Sequence, residues 1–416
     1  MEKKKLFIFN YFMYIGGAER ALLGLLNSID YTRYSVDLFL AMHVGEFMNL
    51  IPKEVNLLPE NSRYAGYACP LKKILFSKNY MIGLARLNAK RKFKNYLRNK
   101  GIAHSEASFQ YVVREMIPYL PEINPQVEYD LAISFIAPHN IVAEKVRAKK
   151  KICWIHSDYT RIDVNVELEL PVWAGFDHVM SISPDVSKTF LHVFPSLKDK
   201  ILEMENILSP DFVRDRAEEK RINYNDSTGP DIKSNVSDDV KIINILSVGR
   251  FCEPKNYDNV PDICRRIISI LSSLNSKLLI RWFLVGYGDE ETIRRKIKET
   301  EMDQYVIILG KRNNPYPYIK ACDIYAQPSR YEGKSVTVRE AQMLCKPVVV
   351  TNYPTASSQI QDGIDGRIVP MDNEGCAKGI ADFILDKELQ QRIVDYLQTH
   401  DYGNEREIEK LYKIVS

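Results

Sequence analysis

The first half of the chain alternates short apolar runs with segments of helical periodicity. An apolar run at residues 6–10 is followed by leucines at helical spacing over 22–29, and a second apolar run covers 35–41. This order predicts a β-α-β unit, which requires a parallel sheet covered by helices on both faces. Further elements of this half are predicted as strands at 131–135, 151–155 and 178–182 and a helix at 184–193.

A second series of strands and helices begins after residue 241. The stretch before it, residues 214–241, is polar and rich in Gly, Pro, Ser, Asn and Asp, which predicts a linker or an exposed insertion. Two doubly wound halves joined in this way leave a cleft between them, and open α/β sheets bind ligands at the carboxyl ends of their strands. The strands of the second half are predicted at 242–248, 278–285, 305–309, 324–327 and 347–351, with helices near 257–274 and 290–299.

These patterns predict an α/β protein with two Rossmann-like, doubly wound domains that face each other across a cleft. The first domain is expected at residues 1–207 and the linker at 208–240. The second domain is expected at 241–390, followed by a helical tail at 391–416 that packs back on the first domain.

The composition agrees with a globular protein, since 45% of the 416 residues are hydrophobic. No run of eighteen uncharged apolar residues occurs, and the apolar segment before Gly16 is too short for a signal peptide. The seven cysteines form no C-x-x-C pair, which favours reduced thiols over disulfides or a zinc site. We therefore expect a cytoplasmic protein without a membrane span.

Glycines and cations follow several predicted strands. Gly16 and Gly17 open the first helix, where free backbone amides favour a phosphate, although a tight turn also explains them. Gly249 ends a strand of the second half, and Arg250 and Lys255 after it could reach a diphosphate, or be two solvated surface cations. The segment GYG at 286–288 is expected to be a turn. No G-x-G-x-x-G follows the first strand, which argues against a nicotinamide enzyme.

The stretch RYEGKSVTVREAQML leads from a strand end into a helix that is predicted to begin near Val336. Ser335 is the predicted N-cap, and the amides that follow it form an anion site. Glu332 in the loop and Glu340 on the helix cannot reach one small group, but they can hold the two ends of an extended ligand. A phosphate between two acids that bind hydroxyls indicates a nucleotide sugar. The alternative is an exposed loop acid and an ordinary helical glutamate.

Taken in order, the motifs resemble one family. They are GGAER, VGRF with Lys255, GYGDEE, NPYPYIKACDIYAQPSRYEG, the E-x7-E pair and DGIDGRIVP. This set resembles the GT-B-fold retaining glycosyltransferases of family 4, above all the bacterial enzymes of capsule, exopolysaccharide and lipopolysaccharide synthesis. The resemblance covers nearly the whole chain and is strongest over residues 242–370. It implies an acceptor-binding first domain and a second domain that binds the nucleotide sugar.

The resemblance also implies roles for individual residues. Arg250 and Lys255 match the pair that neutralises the donor diphosphate, with help from amides at Ser335 and Val336 and from the loop of Gly16 and Gly17. Glu340 matches the glutamate that holds the ribose, and Glu332 the one near the transferred sugar. His156, in KICWIHSDY, matches a histidine that faces the donor sugar.

Some positions depart from the family pattern. Lys334 stands where an aromatic residue often follows the E-G pair, which affects the selection of the donor. The segment PTASSQIQDG at 354–363 replaces a common Gly-Pro-x-Glu form. We expect these two places to influence which sugar is used.

The implied function is transfer of a sugar from a nucleotide-diphosphate sugar, expected to be a UDP-sugar, to a hydroxyl of a glycan or polyprenyl-linked acceptor. No cofactor is expected. No D-x-D motif occurs, and Arg250 with Lys255 can supply the positive charge of a metal, so none is predicted. Alternatives are a GT-B sugar-nucleotide epimerase, a non-catalytic nucleotide-sugar-binding protein and a nicotinamide enzyme.

The net charge of +3 conceals a basic segment at residues 71–104, which contains ten Lys or Arg and no acid. Apolar residues are interleaved with these cations, so the segment could bind the anionic inner face of the plasma membrane as a peripheral surface. A solvated helical face is the alternative. A nucleic-acid partner is not expected, because no nucleic-acid-binding module is present.

Overall fold

A computed structural model describes residues 2–105, 107–224 and 240–416. The chain forms two compact units. Unit 1 comprises Met1–Leu208 and Asn404–Ser416, and unit 2 comprises Ser209–Gly403. The core of unit 1 has two apolar clusters and that of unit 2 has one, within the described ranges.

Unit 1 is built on a parallel sheet whose described strands run in the order β3-β2-β1-β4-β5-β6-β7. The order reverses between β1 and β4, which are neighbours paired from Leu6 with Leu131 to Phe9 with Ser134. The strands are β1 Lys4–Asn10, β2 Tyr34–Leu40, β3 Asn56–Leu57, β4 Tyr129–Ser134, β5 Ala148–Ile155, β6 His178–Ser181 and β7 Ile201–Glu203.

The first strand shows why apolar residues are continuous in this sheet. Leu6 and Ile8 lie in one apolar cluster, whereas Phe7 and Phe9 lie in the other. Successive side chains of a strand point to opposite faces, so both faces of β1 are buried. The helices preceding unit 2 are α1 Gly17–Ser28, α2 Leu71–Leu75, α3 Tyr80–Lys100, α4 Ser108–Met116, α5 Asn140–Lys145, α6 Val166–Ala174 and α7 Pro184–Val193.

Unit 2 contains a second parallel sheet, and its described strands run in the order β10-β9-β8-β11-β12-β13. Here the order reverses between β8 and β11. The strands are β8 Lys241–Val248, β9 Leu278–Val285, β10 Val306–Gly310, β11 Ile324–Gln327, β12 Val348–Thr351 and β13 Arg367–Val369. The helices are α8 Pro210–Glu218, α9 Val260–Ser273, α10 Glu290–Glu299, α11 Tyr316–Ala321, α12 Val336–Met343, α13 Asn373–Leu385 and α14 Lys387–Thr399.

The interval 208–240, which the sequence predicts to be a linker, begins with helix α8 of unit 2. The hydroxyl of Ser209 caps this helix and Pro210 occupies its first turn, both of which favour a helix start. Val213 and Ala217 are buried, so α8 is a packed element and the linker prediction is wrong for these residues. The part at 225–239 lies outside the described residues.

The predicted helical tail at 391–416 is divided between the units. Ile393 and Leu397 of α14 are buried in the core of unit 2. The chain then returns to unit 1, where α15, Ile408–Val415, buries Leu411 and Tyr412. The division follows the apolar faces of the two helices, since each face needs a core to cover it.

The predicted α/β class with two Rossmann-like domains is confirmed, because both sheets are parallel, have helical connections and reverse their order at an internal strand. Each of the seven cysteines lies among the described residues and is a free thiol. No helix among the described residues has the length and apolarity needed to cross a bilayer.

Candidate functional site

The carboxyl edge of the unit 2 sheet carries most of the predicted site residues. The loop after β8 holds Gly249, Arg250 and Lys255, and the loop after β11 holds Glu332. Because β8 and β11 are neighbours where the strand order reverses, their loops diverge from adjacent strand ends. Such a point is where open α/β sheets place their ligands.

Lys255 and Glu332 form an ion pair at this edge. The Nζ of Lys255 lies 2.6 Å from Oε1 of Glu332. The same oxygen accepts hydrogen bonds from the Ser329 hydroxyl at 2.6 Å and from Nε2 of Gln327 at 3.1 Å. Among the described residues no group donates to Oε2 of Glu332. One carboxylate oxygen is thus fixed by three donors, and the other can accept a hydrogen bond from a ligand.

Gly249 and Arg250 lie beside this pair. A Cβ at Gly249 would come within 2.8 Å of the Tyr257 hydroxyl and 3.4 Å of Cε of Lys255. Glycine therefore allows the lysine stem to pass close to the strand end. Arg250 is exposed, and its guanidinium has no hydrogen bond or ion pair within the described part of the chain. Lys255 is fixed by the protein, whereas Arg250 can turn toward a ligand.

Helix α12 begins at Val336 as predicted, with Ser335 at the N-cap. The Ser335 side chain makes no capping hydrogen bond, however. Its backbone N–H donates to Oε1 of Gln359 at 2.9 Å, and Nε2 of Gln359 donates back to the Ser335 carbonyl at 2.7 Å. Gln359 belongs to the segment that departs from the family pattern. The Ser335 amide is therefore engaged within the protein, and Gln359 is a neighbour of the site that the sequence did not reveal.

Glu340 is fully buried in α12. Its Oε1 accepts a hydrogen bond of 2.8 Å from the hydroxyl of Tyr316, the first residue of α11. Tyr316 is also buried, and it was not among the predicted site residues. The signal for it was the NPYPY run, whose Pro-rich start places a tyrosine at the beginning of a helix. The burial shows that Glu340 is not a solvated helical acid, and its role toward a ligand stays a prediction.

The GYG segment after β9 has a structural role. Gly288 adopts φ of +135° and pairs as a bridge with Phe251. A Cβ at Gly286 would lie 1.8 Å from the carbonyl oxygen of Gly249. The glycines therefore let the loop after β9 pack on the loop after β8, in agreement with the predicted turn.

In unit 1, Gly16 and Gly17 stand at the start of α1 as predicted. The Glu19 carboxylate covers this start, since a Cβ at Gly16 would lie 2.1 Å from its Oε2. An acid in the first turn stabilises the positive end of the helix. A phosphate could bind at Gly16 only if the Glu19 side chain moved aside.

His156 directly follows β5 and is packed among aromatic rings. Its Nε2 lies 2.8 Å from the Phe135 carbonyl oxygen, which can only accept, so Nε2 carries the proton in the neutral ring. Its Nδ1 is buried without a hydrogen-bond partner among the described residues. Burial lowers the pKa of His156 to about 4. The neutral ring therefore offers Nδ1 as an acceptor for a hydroxyl.

A second histidine of unit 1, His139, was not predicted. Its Nδ1 lies 2.8 Å from the Ser134 hydroxyl, and its ring contacts Trp173. Burial, with a smaller effect of the nearby His156, lowers the pKa of His139 to about 3. No group of three or more His, Cys, Asp or Glu side chains in the described ranges is arranged to hold a metal ion.

Comparisons with known proteins support the same class. Residues 231–400 match the family described as "Glycosyl transferases group 1". The chain is 28% identical over 150 residues to the N-acetylgalactosamine-N,N'-diacetylbacillosaminyl-diphospho-undecaprenol 4-alpha-N-acetylgalactosaminyltransferase of Campylobacter jejuni, which is 35% of this chain and 39% of that protein. It is 26% identical over 176 residues to the amylovoran biosynthesis glycosyltransferase AmsD of Erwinia amylovora, or 41% and 48% of the two chains. The matches span less than half of these relatives.

Solved structures show the fold. A glycosyltransferase from Rickettsia africae superposes with a TM-score of 0.62 and 15% identity, covering 100% of this chain and 98% of its own. The Anabaena HepE protein in complex with UDP-glucose superposes with a TM-score of 0.62 and 14% identity, covering 98% and 99%. Together with the two parallel sheets, these superpositions identify the chain as a GT-B-fold protein, and its residues 231–400 match the glycosyl transferases group 1 family.

Proposed function

We propose that the chain is a retaining glycosyltransferase of bacterial surface polysaccharide synthesis. It transfers a sugar from a nucleotide-diphosphate sugar, with UDP as the nucleotide, to a hydroxyl of a glycan or lipid-linked oligosaccharide. The observation that carries the proposal is the Lys255–Glu332 pair at the strand-order reversal of unit 2. The names of the relatives from Campylobacter and Erwinia and the UDP-glucose complex of HepE support the substrate classes.

In this reaction the bond between the anomeric carbon and the diphosphate oxygen breaks, and the nucleoside diphosphate leaves with the electron pair. The acceptor oxygen bonds to the same face of the sugar, and its proton passes to the departing diphosphate. Negative charge develops on the leaving group, so preorganised cations and amides lower the barrier. We assign this role to Lys255, Arg250 and the amide of Val336 at the start of α12.

The hydroxyl groups of the donor are assigned to the acids and the histidine. Oε2 of Glu332 accepts from the transferred sugar, because its partner oxygen is already occupied. Glu340, oriented by Tyr316, accepts from the ribose. Nδ1 of His156 has the lone pair that a hydroxyl of the donor sugar requires. Gly16 and Gly17 contribute amides to the diphosphate once Glu19 has moved.

A panel of UDP- and GDP-sugars tests the proposal, read by thermal shift and by slow donor hydrolysis. We expect one UDP-sugar to raise the melting temperature and to be hydrolysed, with the anomeric configuration retained in the product by NMR. Hydrolysis of no donor, or an inverted product, would contradict the proposal. Conversion of the donor into a second nucleotide sugar without an acceptor would indicate an epimerase.

A chelation experiment tests whether a metal is needed. Because Lys255 and Arg250 supply the positive charge, the rate should be unchanged by chelation with EDTA. A loss of rate that manganese reverses would refute metal independence.

The basic segment offers a surface for an anionic membrane. Arg86 is engaged within unit 1, where it donates to the Gly66 carbonyl, and Lys92 pairs with Glu115. The remaining cations of 71–104 are exposed. Each residue of an α-helix is rotated by 100° from the one before, so residues three or four positions apart lie on the same face. One such exposed stripe of α3 has an apolar first half and a basic second half. The stripe comprises Tyr80, Leu84, Leu87, Arg91, Lys94 and Arg98.

We propose that this α3 stripe, with the adjoining Phe76, which is 92% exposed, binds the cytoplasmic face of the membrane. Apolar side chains enter the headgroup region while cations near the surface contribute about 1 kcal/mol each. A peripheral position of this kind brings unit 1 to a lipid-linked acceptor without a membrane span.

A further inference from the structure

Aromatic side chains form a cluster where β1 ends. Tyr11 directly follows the strand, and its ring meets that of Phe12 edge to face with centroids 5.7 Å apart. The Phe12 ring in turn contacts that of Tyr14 at 5.0 Å. Tyr67, from a short 3-10 helix, lies edge to face on Tyr11 at 6.3 Å. Phe109 of α4 supports Tyr67 at 4.6 Å. Tyr14 and Tyr67 are 44% and 38% exposed, so two rings of the cluster are partly accessible to a ligand.

The cluster lies at the ligand-binding edge of unit 1. Strand β1 stands at the reversal of the strand order, and β5, which leads to His156, is the second strand from it. Neighbouring strands are about 4.8 Å apart, so the ends of β1 and β5 are separated by about 10 Å. That distance is about the length of two sugar rings. A glycan chain could therefore extend from His156 to the cluster along one edge of the sheet.

The segment that carries Tyr67 is fixed from behind. The guanidinium of Arg86 in α3 donates to the carbonyl oxygens of Gly66, at 2.9 Å, and Cys69, on either side of Tyr67. A Cβ at Gly66 would come within 2.8 Å of Ile82, so this segment packs tightly on α3. The backbone that carries the exposed tyrosine ring is thus held in place before any ligand arrives, which lowers the entropy cost of binding.

The Tyr11 hydroxyl indicates a polar ligand. Tyr11 is 9% exposed, and its hydroxyl is buried without a hydrogen-bond partner among the described residues. Burial raises the pKa of Tyr11 to about 12, so the hydroxyl keeps its proton and can donate. A buried donor without a partner is costly and calls for an explanation. Because this hydroxyl is buried, a ligand hydroxyl would supply the partner once the Tyr67 ring has turned aside on its fixed backbone.

We propose that Tyr11, Tyr14 and Tyr67 form a subsite for a sugar ring of the acceptor. The apolar C–H face of a pyranose packs on an exposed aromatic ring, and its hydroxyls need the donors and acceptors that tyrosines provide. A polyprenyl chain would leave the Tyr11 hydroxyl unpaired, so the subsite fits the glycan and not the lipid. This inference rests on the proposed transferase function, because it names the acceptor of that reaction.

The test compares Tyr14→Ala and Tyr67→Ala with Tyr119→Ala, a tyrosine of unit 1 that is 40% exposed outside the cluster. The probes are methyl and octyl glycosides of glucose, galactose, N-acetylglucosamine and N-acetylgalactosamine. We expect both cluster variants to raise the acceptor KM about tenfold for methyl and octyl glycosides alike, as one aromatic contact can contribute. Donor hydrolysis should not change. The separate variant Tyr67→Phe, which keeps the aromatic ring, should have the acceptor KM of the unmodified protein.

Binding is also measured without turnover, by saturation-transfer NMR with the methyl glycosides, so that a failure of the proposed function is distinguishable. Weaker saturation in the cluster variants, with normal saturation in Tyr119→Ala, supports the subsite even if no donor is hydrolysed. An unchanged KM and unchanged saturation in Tyr14→Ala and Tyr67→Ala would overturn it. So would binding of no methyl glycoside, or an effect confined to octyl glycosides, which would assign the rings to the lipid.

Discussion

Oε1 of Glu332 lies 2.6 Å from Nζ of Lys255, whose side chain is 20% exposed. The acid keeps the ammonium in one position and compensates part of its charge. A donor diphosphate therefore meets a cation whose position is already set, which is the preorganisation that stabilises a leaving group.

The first prediction concerns the charge of Lys255. Lys255→Ala should slow both donor hydrolysis and transfer, because it removes about 3 kcal/mol of transition-state stabilisation. Removal of one oxyanion donor has a comparable effect. The measurement is kcat at saturating donor. Lys378→Ala, which removes an exposed lysine paired with Asp382 in α13, is the control and should have normal kcat. A normal kcat in Lys255→Ala would remove the lysine from the mechanism.

The second prediction separates nucleotide binding from chemistry. Glu340→Gln should weaken binding of UDP, because the neutral amide is a poorer acceptor for the ribose hydroxyls. Tyr316→Phe should weaken UDP binding less, since it removes only the hydrogen bond that orients Glu340. Calorimetry with UDP measures both, with the exposed Glu374→Gln as control. An unchanged UDP affinity in Glu340→Gln would contradict the ribose role.

The third prediction concerns Gln359. Gln359→Ala removes both hydrogen bonds to the Ser335 backbone and leaves a buried amide unpaired. The local free energy of opening should fall by about 1–3 kcal/mol. Hydrogen exchange of the amides at the start of α12 reports it as a loss of protection of about 5- to 150-fold. The exposed neighbour Gln361 provides a control, because Gln361→Ala should leave the protection as it is.

The fourth prediction is a pH dependence of unit 1. Folded His139 and His156 bind protons only near pH 3 and 4, whereas an unfolded histidine does so near 6.5. Between pH 6.5 and 4.5 the unfolded state therefore binds more protons at these sites, and the stability of unit 1 falls with acidification. Glu169 acts in the opposite direction, since burial raises its pKa to about 7, but it is one group against two.

Hydrogen exchange of β4 and β5 at pH 7 and pH 5, corrected for intrinsic rates, measures this effect. His139→Gln should reduce the difference between the two pH values. His192→Gln, which changes an exposed histidine of α7, should not. A difference that is independent of His139 would show that its burial does not control the acid stability.

The fifth prediction tests the α3 stripe. Replacing Arg91, Lys94 and Arg98 by Gln should abolish sedimentation with vesicles that contain anionic lipid, because about 3 kcal/mol of attraction is lost. Replacing three exposed basic residues of α10, Arg294, Arg295 and Lys298, is the matched control. If the unmodified protein binds neutral and anionic vesicles equally, or neither, the membrane role of the stripe is wrong.

Much of the fold was predictable because apolar runs and leucine spacing report the two parallel sheets directly. The start of α12 at Val336 was predictable for the same reason, since Ser335 marks a helix start. Long-range side-chain contacts were not. The hydrogen bond between Tyr316 and Glu340 joins residues 24 positions apart, and so does the one between Gln359 and Ser335. No local sequence pattern encodes such pairs.

The linker prediction failed at α8 for a related reason. Its sequence, PDFVRDRAE, is mostly polar, and its buried face consists of Pro210, Val213 and Ala217. The Glu19 carboxylate at Gly16 was likewise missed, because a glycine pair suggests an open anion site whether or not a nearby acid fills it. Composition describes a segment on average, whereas packing depends on a few of its positions.

The return of residues 404–416 to unit 1 sets the order in which the protein can be completed. Unit 2 is continuous and can fold while the ribosome is still synthesising the chain, but unit 1 lacks α15 until Ile408–Val415 has been made. Lys4 of the first strand donates to the Val415 carbonyl at 2.9 Å, so the first strand and the last helix finish one fold together. The Leu208 amide also donates to Asn404, at 2.9 Å. A short loop that joins Leu208 to Asn404 in place of unit 2 would therefore yield unit 1 as a separate domain.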